Sequence, residues 1–172
     1  MRYVKVTSPD VNNGLGNRVT LWVSGCKHHC EGCHNSWLQD YMKGKPISEA
    51  KDEIYKALNH PYIKGLTLSG GDPLYQNDES LDELYQLVVD VKKNFPDKDI
   101  WLFSGFTLDE LKSEGNEHKL NVLNESDYFV DGKFVMELKD VKLPFRGSSN
   151  QNIWKNIGHG EFVKMYDEYF KN

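Results

Sequence analysis

The chain has 172 residues, 38% of them hydrophobic and 27% charged, a composition typical of one globular domain that buries an apolar core. The formal net charge is −5, and lysines and arginines are scattered among acids without a basic stripe, so we expect no nucleic-acid partner. Because no apolar stretch approaches about 20 residues and no basic and apolar leader begins the chain, we expect neither membrane insertion nor secretion.

Four short apolar runs predict strands, at residues 19–24, 65–69, 100–104 and 128–131. Helical patterns lie between them, and no internal repeat or linker rich in proline, glycine or serine interrupts the alternation. Alternating strands and helices are typical of a parallel α/β sheet. We therefore expect a single domain over residues 1–172.

The helices between these strands are predicted from the spacing of their apolar side chains and from their end signals. Residues 48–60 place alanine, isoleucine and leucine on one helical face, and residues 81–91 repeat leucine, tyrosine and valine at the same spacing. A third helix is expected from Thr107 and Glu110, which stand at capping-box spacing, and it should end near Gly115.

Each predicted strand runs into a glycine-containing turn at its carboxyl end. These turns are the loop from Gly25, Gly70-Gly71-Asp72-Pro73, Ser104-Gly105-Phe106 and Asp131-Gly132-Lys133. In parallel α/β folds such turns gather on one rim, where ligands bind, so we expect the four to converge on one site. A complete eight-stranded barrel takes about 250 residues. This chain should therefore form a partial (βα) barrel with parallel strands, open on one side.

All three cysteines lie in the loop at residues 25–36, directly after the first predicted strand, at Cys26, Cys30 and Cys33. Three thiolates from one loop can hold a four-iron, four-sulfur (4Fe-4S) cluster by three of its irons. The fourth iron then stays open to another ligand, which indicates chemistry beyond electron storage. No cysteine remains for a disulfide, so we expect a cytoplasmic protein.

Two other interpretations of this loop stay open at this stage. Three thiolates and an imidazole from His28, His29 or His34 could hold a structural zinc ion, although the spacing is unlike the usual zinc pattern. The pair Cys30 and Cys33 could instead form a redox dithiol, which would leave Cys26 without a role.

Short motifs along residues 10–152 support a resemblance to a known family. They are Asn13-Gly14 with Gly16 and Arg18, Ser24-Gly25-Cys26 with His28, Gly32-Cys33-His34-Asn35, Leu68-Ser69-Gly70-Gly71-Asp72-Pro73-Leu74, Lys98-Asp99-Ile100-Trp101, Ser104-Gly105, Val130-Asp131-Gly132-Lys133-Phe134 and Phe145-Arg146-Gly147-Ser148-Ser149-Asn150-Gln151. With these motifs and its cysteine spacing, the chain resembles the radical S-adenosylmethionine enzymes. Within that superfamily it is similar to the small activating proteins of anaerobic ribonucleoside-triphosphate reductase.

The resemblance implies a reaction. In this family S-adenosylmethionine binds the open iron of the 4Fe-4S cluster, and one electron from the reduced cluster cleaves it to a 5′-deoxyadenosyl radical. That radical removes hydrogen from a glycine in the large subunit of the reductase and leaves a glycyl radical there. The resemblance also implies an external electron donor such as a reduced flavodoxin, and no side chain acting as general acid or base.

The resemblance further implies which residues meet the cofactors. Cys26, Cys30 and Cys33 would bind the cluster. The remaining residues would contact S-adenosylmethionine: Gly70 and Gly71 by close backbone approach, Asp72 by fixing their turn, Gly32, Cys33 and His34 at the adenosyl group, and Ser104 at the methionine carboxylate or the ribose.

Some features remain without one assignment. Arg146 could be a surface charge or could contact S-adenosylmethionine or the partner, and residues 153–172 have no predicted role. Trp22, Trp101 and Phe103, at strand positions, are expected in the core. The alternative functions are activation of another glycyl radical enzyme, a small radical enzyme acting on a metabolite, or a non-catalytic zinc-binding adaptor.

Overall fold

The structure, a computed structural model, describes residues 1–171 as an α/β fold around one eight-stranded sheet. The strands are β1 (Arg2–Asp10), β2 (Arg18–Val23), β3 (Lys45–Pro46), β4 (Gly65–Gly70), β5 (Asp99–Phe103), β6 (Tyr128–Asp131), β7 (Asn152–Gly158) and β8 (Glu161–Met165). The helices are α1 (Lys51–Leu58), α2 (Asp78–Asn94), α3 (Leu108–Glu114) and α4 (Glu117–Glu125). Within residues 1–171, no helix combines the length and the apolar character that crossing a bilayer requires.

The sheet is parallel in its middle and antiparallel at both ends. Its order is β3-β1-β2-β4-β5-β6-β7-β8, and β2, β4, β5 and β6 pair in parallel as predicted. The prediction of parallel strands holds for this middle block alone, because β1, β3, β7 and β8 all pair antiparallel. Parallel neighbours need a long crossover connection, whereas β1 reaches β2 through a short loop and β7 turns directly into β8.

Alternation along the strands separates the two faces of the sheet. In β2 the side chains of Val19, Leu21 and Val23 point to the main core, which they share with buried residues from all four helices. Residues of the opposite parity, such as Arg18 and Trp22, belong to the other face. The helices therefore cover one face of the sheet and leave the second face for other segments.

The carboxyl-terminal part of the chain, for which no role was predicted, covers part of this second face. Beyond β7 and β8, a short 3-10 helix at Asp167–Phe170 places the ring of Phe170 at 6.1 Å from that of Trp101, centroid to centroid. Trp101 is fully buried there, which confirms it as a core residue. Trp22 and Phe103 are only half-buried and line a cavity. Phe103 still packs against the buried cluster around Trp101, whereas the assignment of Trp22 to the core is wrong.

Several helix ends follow the predicted signals. Thr107 and Glu110 form the expected capping box at the start of α3, and Gly115 ends it in the left-handed region at a φ of 65°. The predicted helix at residues 48–60 begins as a 3-10 turn, Ile47–Ala50, before α1. Helix α4 was missed, although Asn116 caps it by accepting from the backbone N–H of Lys119.

Candidate metal centre

The four glycine-containing turns meet at one cavity, as the sequence predicted. This cavity has a volume of about 150 Å³ and lies at the carboxyl ends of β2, β4, β5 and β6. Its lining includes Cys26, Cys30, Cys33, Gly70, Gly71, Asp72, Ser104, Gly105, Gly132 and Lys133. All three thiols therefore reach a space shared with the turns that follow β4, β5 and β6.

The cysteine loop is held by backbone hydrogen bonds, both to the segment that follows it and within the loop. The N–H of Gly25 donates to the carbonyl of Leu38 at 2.7 Å, and the N–H of Cys33 donates to the carbonyl of Cys30 at 3.2 Å. The three cysteines are free and half-buried. Burial raises the pKa of Cys26 to about 12 and also raises the pKa of Cys30. Their binding to a metal must therefore release protons.

The spacing of the thiols distinguishes a cluster from a single ion. Bonds of about 2.3 Å bring the thiolates of one zinc ion within about 4 Å of one another. Among residues 1–171, the ligand atoms that gather within 4.8 Å of one another are those of Cys26, His28 and Asp72, and the three thiols do not form such a group. At least one pair of the thiols is therefore more than 4.8 Å apart, which is compatible with a cube-shaped cluster that takes one thiolate on each of three irons. This spacing does not favour the zinc alternative.

Asp72 is the centre of a buried polar network beside these thiols. Its side chain is 1% exposed, and its oxygens accept from the imidazole of His28 at 2.7 Å and from the hydroxyl of Ser104 at 2.9 and 3.0 Å. The backbone N–H groups of Leu74 and Gly105 donate to the same carboxylate at 2.8 and 2.9 Å. Four donors thus occupy a group that has about four acceptor sites.

This network takes up the polar atoms of two predicted site residues. Asp72 and Ser104 both line the cavity, but their polar atoms are bonded to each other. The Ser104 oxygen also accepts from the N–H of Phe106 at 3.1 Å. Sequence reasoning missed His28 as the partner of Asp72, because 44 positions separate the two residues.

The need for glycine at positions 70 and 71 comes first from the protein's own backbone. A Cβ on Gly70 would lie 2.4 Å from the carbonyl oxygen of Val23, and one on Gly71 would lie 2.5 Å from that of Gly25. The expectation from the sequence is instead that both glycines allow close approach of a ligand. Both residues line the cavity, so the two reasons are compatible.

Gly32 and His34 lie at the outer edge of the cysteine loop. Gly32 has a φ of 72°, and a Cβ on it would meet the terminal methyl of Met136. His34 is exposed, and its ring lies edge-on to Phe134 with 5.3 Å between centroids. His34 lines a second cavity rather than the one that the thiols share.

This second cavity has a volume of about 520 Å³ and adjoins the first. The two share lining residues, Asn35, Ser69, Phe103, Val130 and Gln151. Asn12, Asn13 and Arg146 line the larger cavity alone. A bulky segment can thus approach the thiol cavity from this side.

Two arginines brace the segments around the second cavity, and of the two Arg146 lines it. Arg18 is fully buried and donates to the hydroxyl of Thr67 at 2.7 Å and to the carbonyl of Leu15 at 2.9 Å, which holds the loop before β2 in place. Arg146, left open by the sequence, has a side chain only 7% exposed and forms an ion pair with Asp167. It therefore ties its loop to the carboxyl-terminal segment and is not a free surface charge.

The three free thiols lie in one loop after β2, and residues 12–154 match a family model described as a 4Fe-4S single cluster domain, which makes this an iron–sulfur protein. The chain is 42% identical over 156 residues to the anaerobic ribonucleoside-triphosphate reductase-activating protein of Escherichia coli K12, covering 89% of this chain and 97% of that protein. Proteins of the same name from Enterobacteria phage T4 (40% over 157 residues, 91% and 95% covered) and Vibrio cholerae (44% over 156 residues, 89% and 97% covered) are similarly related. The chain belongs to this family of activating proteins, which confirms the resemblance drawn from its motifs.

Proposed function

We propose that this protein is an activating enzyme that consumes S-adenosylmethionine and one electron to remove a hydrogen atom from a glycine of an anaerobic ribonucleoside-triphosphate reductase. The products are methionine, 5′-deoxyadenosine and a glycyl radical on the large subunit of the reductase. The relatives named for activation of this reductase support the partner. The observation that carries the proposal is the meeting of three free thiols with the glycine turns after β4 and β5 at one cavity.

Cys26, Cys30 and Cys33 would hold the 4Fe-4S cluster. Bound there with S-adenosylmethionine, a reduced cluster supplies the electron that cleaves the sulfonium. The protein must then hold S-adenosylmethionine and the glycine of the reductase in fixed positions, because a misplaced radical would damage the enzyme. Since hydrogen leaves as an atom, no side chain is required as general acid or base.

The proposed S-adenosylmethionine site combines the lining of the thiol cavity with the adjoining end of the cysteine loop. Gly70 and Gly71 would offer backbone atoms to the methionine part, while Gly32, Cys33 and His34 would meet the adenosyl part. Asp72 and Ser104 would form the wall between them. Their mutual hydrogen bonds support a role in shaping this wall. The site then lies on a partial (βα) barrel within a single domain, with its open side at the second cavity.

The second cavity would admit the glycine-bearing segment of the reductase. Its volume of about 520 Å³ suits a few residues of extended chain, and Asn12, Asn13 and Gln151 offer amide groups to a peptide backbone. We infer that a cytoplasmic donor of the flavodoxin type supplies the electron, because no second cofactor-binding motif occurs in this sequence.

The test is anaerobic incubation of the reconstituted protein with S-adenosylmethionine, a reductant and the reductase, followed by electron paramagnetic resonance (EPR). We expect a glycyl doublet that appears together with 5′-deoxyadenosine. The variant Cys30→Ala should yield neither product. Full cleavage of S-adenosylmethionine by that variant would contradict the ligand assignment, and cleavage by the wild type without a doublet would contradict the assigned partner.

A further inference from the structure

His28 lines the thiol cavity but is not one of the proposed cluster ligands, so its place in the cysteine loop needs its own explanation. Its side chain is only 5% exposed, although it lies between the exposed residues Lys27 and His29. The loop therefore turns this one polar ring inward. Because a buried polar group must be bonded to avoid a large desolvation cost, its contacts show what the burial achieves.

The imidazole of His28 is enclosed on several sides. The rings of Tyr75 and Phe106 both stand edge-on to it, each with 4.8 Å between centroids. The ring also lies against Gly105, where an added Cβ would come within 2.6 Å of the imidazole. These three residues belong to the turns that follow β4 and β5. The packing fixes the ring against two turns at once.

The polar edge of the ring is fixed as well. Nε2 of His28 lies 2.7 Å from an oxygen of Asp72. Two backbone N–H groups and a hydroxyl donate to this carboxylate, so its oxygens act as acceptors. We therefore assign the imidazole as the donor in this hydrogen bond. The backbone N–H of His28 points to the sulfur of Cys26 at 3.4 Å. One residue thus links a proposed cluster ligand to the turn that follows β4.

We propose that His28 is a positioning residue which holds Cys26 in place for the cluster, and that Asp72 acts on the cluster through His28. The inference deepens the proposed function and rests on its assignment of the cluster to the three cysteines. Partners that orient metal ligands in this way typically change metal affinity about 10- to 100-fold when they are removed. His28 touches no reacting atom in this account and is therefore not a catalytic residue.

The test compares two substitutions that separate hydrogen bonding from packing. His28→Phe keeps an aromatic ring between Tyr75 and Phe106 but removes the donor to Asp72. His28→Gln returns a donor that can reach the same carboxylate. His29→Asn is the matched control, because His29 is exposed in the same loop and its φ of 51° suits asparagine.

The measured quantity is the rate at which the reconstituted protein loses iron to a chelator without oxygen, together with the EPR spectrum of the reduced cluster. We expect His28→Phe to lose iron about 10- to 100-fold faster than the wild type and to show an altered spectrum. His28→Gln should restore both properties, and His29→Asn should match the wild type. Wild-type iron retention in His28→Phe, or a loss in His28→Gln as fast as in His28→Phe, would overturn the proposal.

Two further experiments apply if His28→Phe does not fold or if the wild type takes up no cluster. If His28→Phe does not fold, Gly105→Ala tests the same idea, because its Cβ would displace the imidazole while both bonding partners remain, and it should also speed iron loss. If the wild type takes up no cluster, the proposed function fails, and amide hydrogen exchange of the metal-free protein still tests His28. Residues 26–30 should then exchange faster in His28→Phe than in the wild type or in His28→Gln. Equal exchange would overturn the positioning role.

Discussion

Replacing Gly71 by alanine adds one methyl group at the point where the turn after β4 meets the cysteine loop. The new Cβ would lie 2.5 Å from the carbonyl oxygen of Gly25 and 2.8 Å from that of Leu38. Both oxygens belong to backbone and cannot rotate away. Because Gly71 does not have a positive φ, this substitution tests space alone and adds no left-handed strain.

The expected cost follows from these distances. Cβ atoms essentially never approach other heavy atoms within 3.0 Å, so the cysteine loop must move by several tenths of an ångström. That movement would strain the bond from the N–H of Asp72 to the carbonyl of Gly25, now 2.8 Å long. Overpacking of this kind costs about 3 kcal/mol at the upper end of its usual range. For a chain of this length that lowers the melting temperature by about 6–12 °C.

The assay is thermal unfolding of the metal-free protein by circular dichroism, followed by the iron content after reconstitution. Gly71→Ala should melt at a lower temperature and take up less iron. Gly115→Ala is the matched control, since nothing lies within 4 Å of its Cβ, and it should lose only about 1–2 kcal/mol through its positive φ with normal iron uptake. A Gly71→Ala protein with wild-type melting and full iron would refute the reasoning about the loop.

Three further predictions concern stability and thiol reactivity. Arg18→Met removes the buried donor to Thr67 and the ion pair with Asp99. Urea titration should then show a free energy of unfolding lower by about 3 kcal/mol. An unchanged free energy would contradict the stabilising role of Arg18. Burial raises the pKa of Asp127, so its contribution to stability is present below the ordinary carboxyl pKa and is lost as pH rises through the raised value. Asp127→Asn should therefore gain stability relative to the wild type as pH rises above about 4, the ordinary carboxyl pKa. A stability difference that does not change with pH would contradict this sign. Burial raises the pKa of Cys26 to about 12 in the metal-free protein, so little reactive thiolate is present near pH 8. Cys26 should therefore react with iodoacetamide far more slowly than an exposed thiol, as followed by mass spectrometry. A rate equal to that of an exposed thiol would contradict its burial.

The parts of the fold and site that the sequence predicts are those with local signals. The central strands are continuous apolar runs because both of their faces are covered, and the cysteines and glycine turns are legible from spacing alone. Strand β1 gives no such signal, since Lys5, Ser8 and Pro9 are exposed along it. β1 pairs with β3 at only two positions. Much of its outer edge therefore has no neighbouring strand, and polar residues are tolerated there.

The parts that could not be predicted depend on contacts between distant positions. The bonds of Asp72 to His28 and to Ser104 span 44 and 32 positions, and none of the three residue types specifies its partner. The role of the carboxyl-terminal segment was equally hidden in the sequence. Phe170 and the ion pair of Asp167 with Arg146 make their contacts only when the chain has folded and this segment lies on the second face of the sheet. Tertiary packing, rather than spacing, determines these roles.

The central claim is that three thiolates hold a 4Fe-4S cluster with one open iron. The most direct measurement is analysis of iron and inorganic sulfide after anoxic reconstitution. EPR spectra of the reduced protein are then recorded before and after S-adenosylmethionine is added. The account predicts about four irons and four sulfides per chain. It also predicts a cluster spectrum that changes when S-adenosylmethionine binds. Protein without inorganic sulfide, or a spectrum that S-adenosylmethionine leaves unchanged, would contradict it.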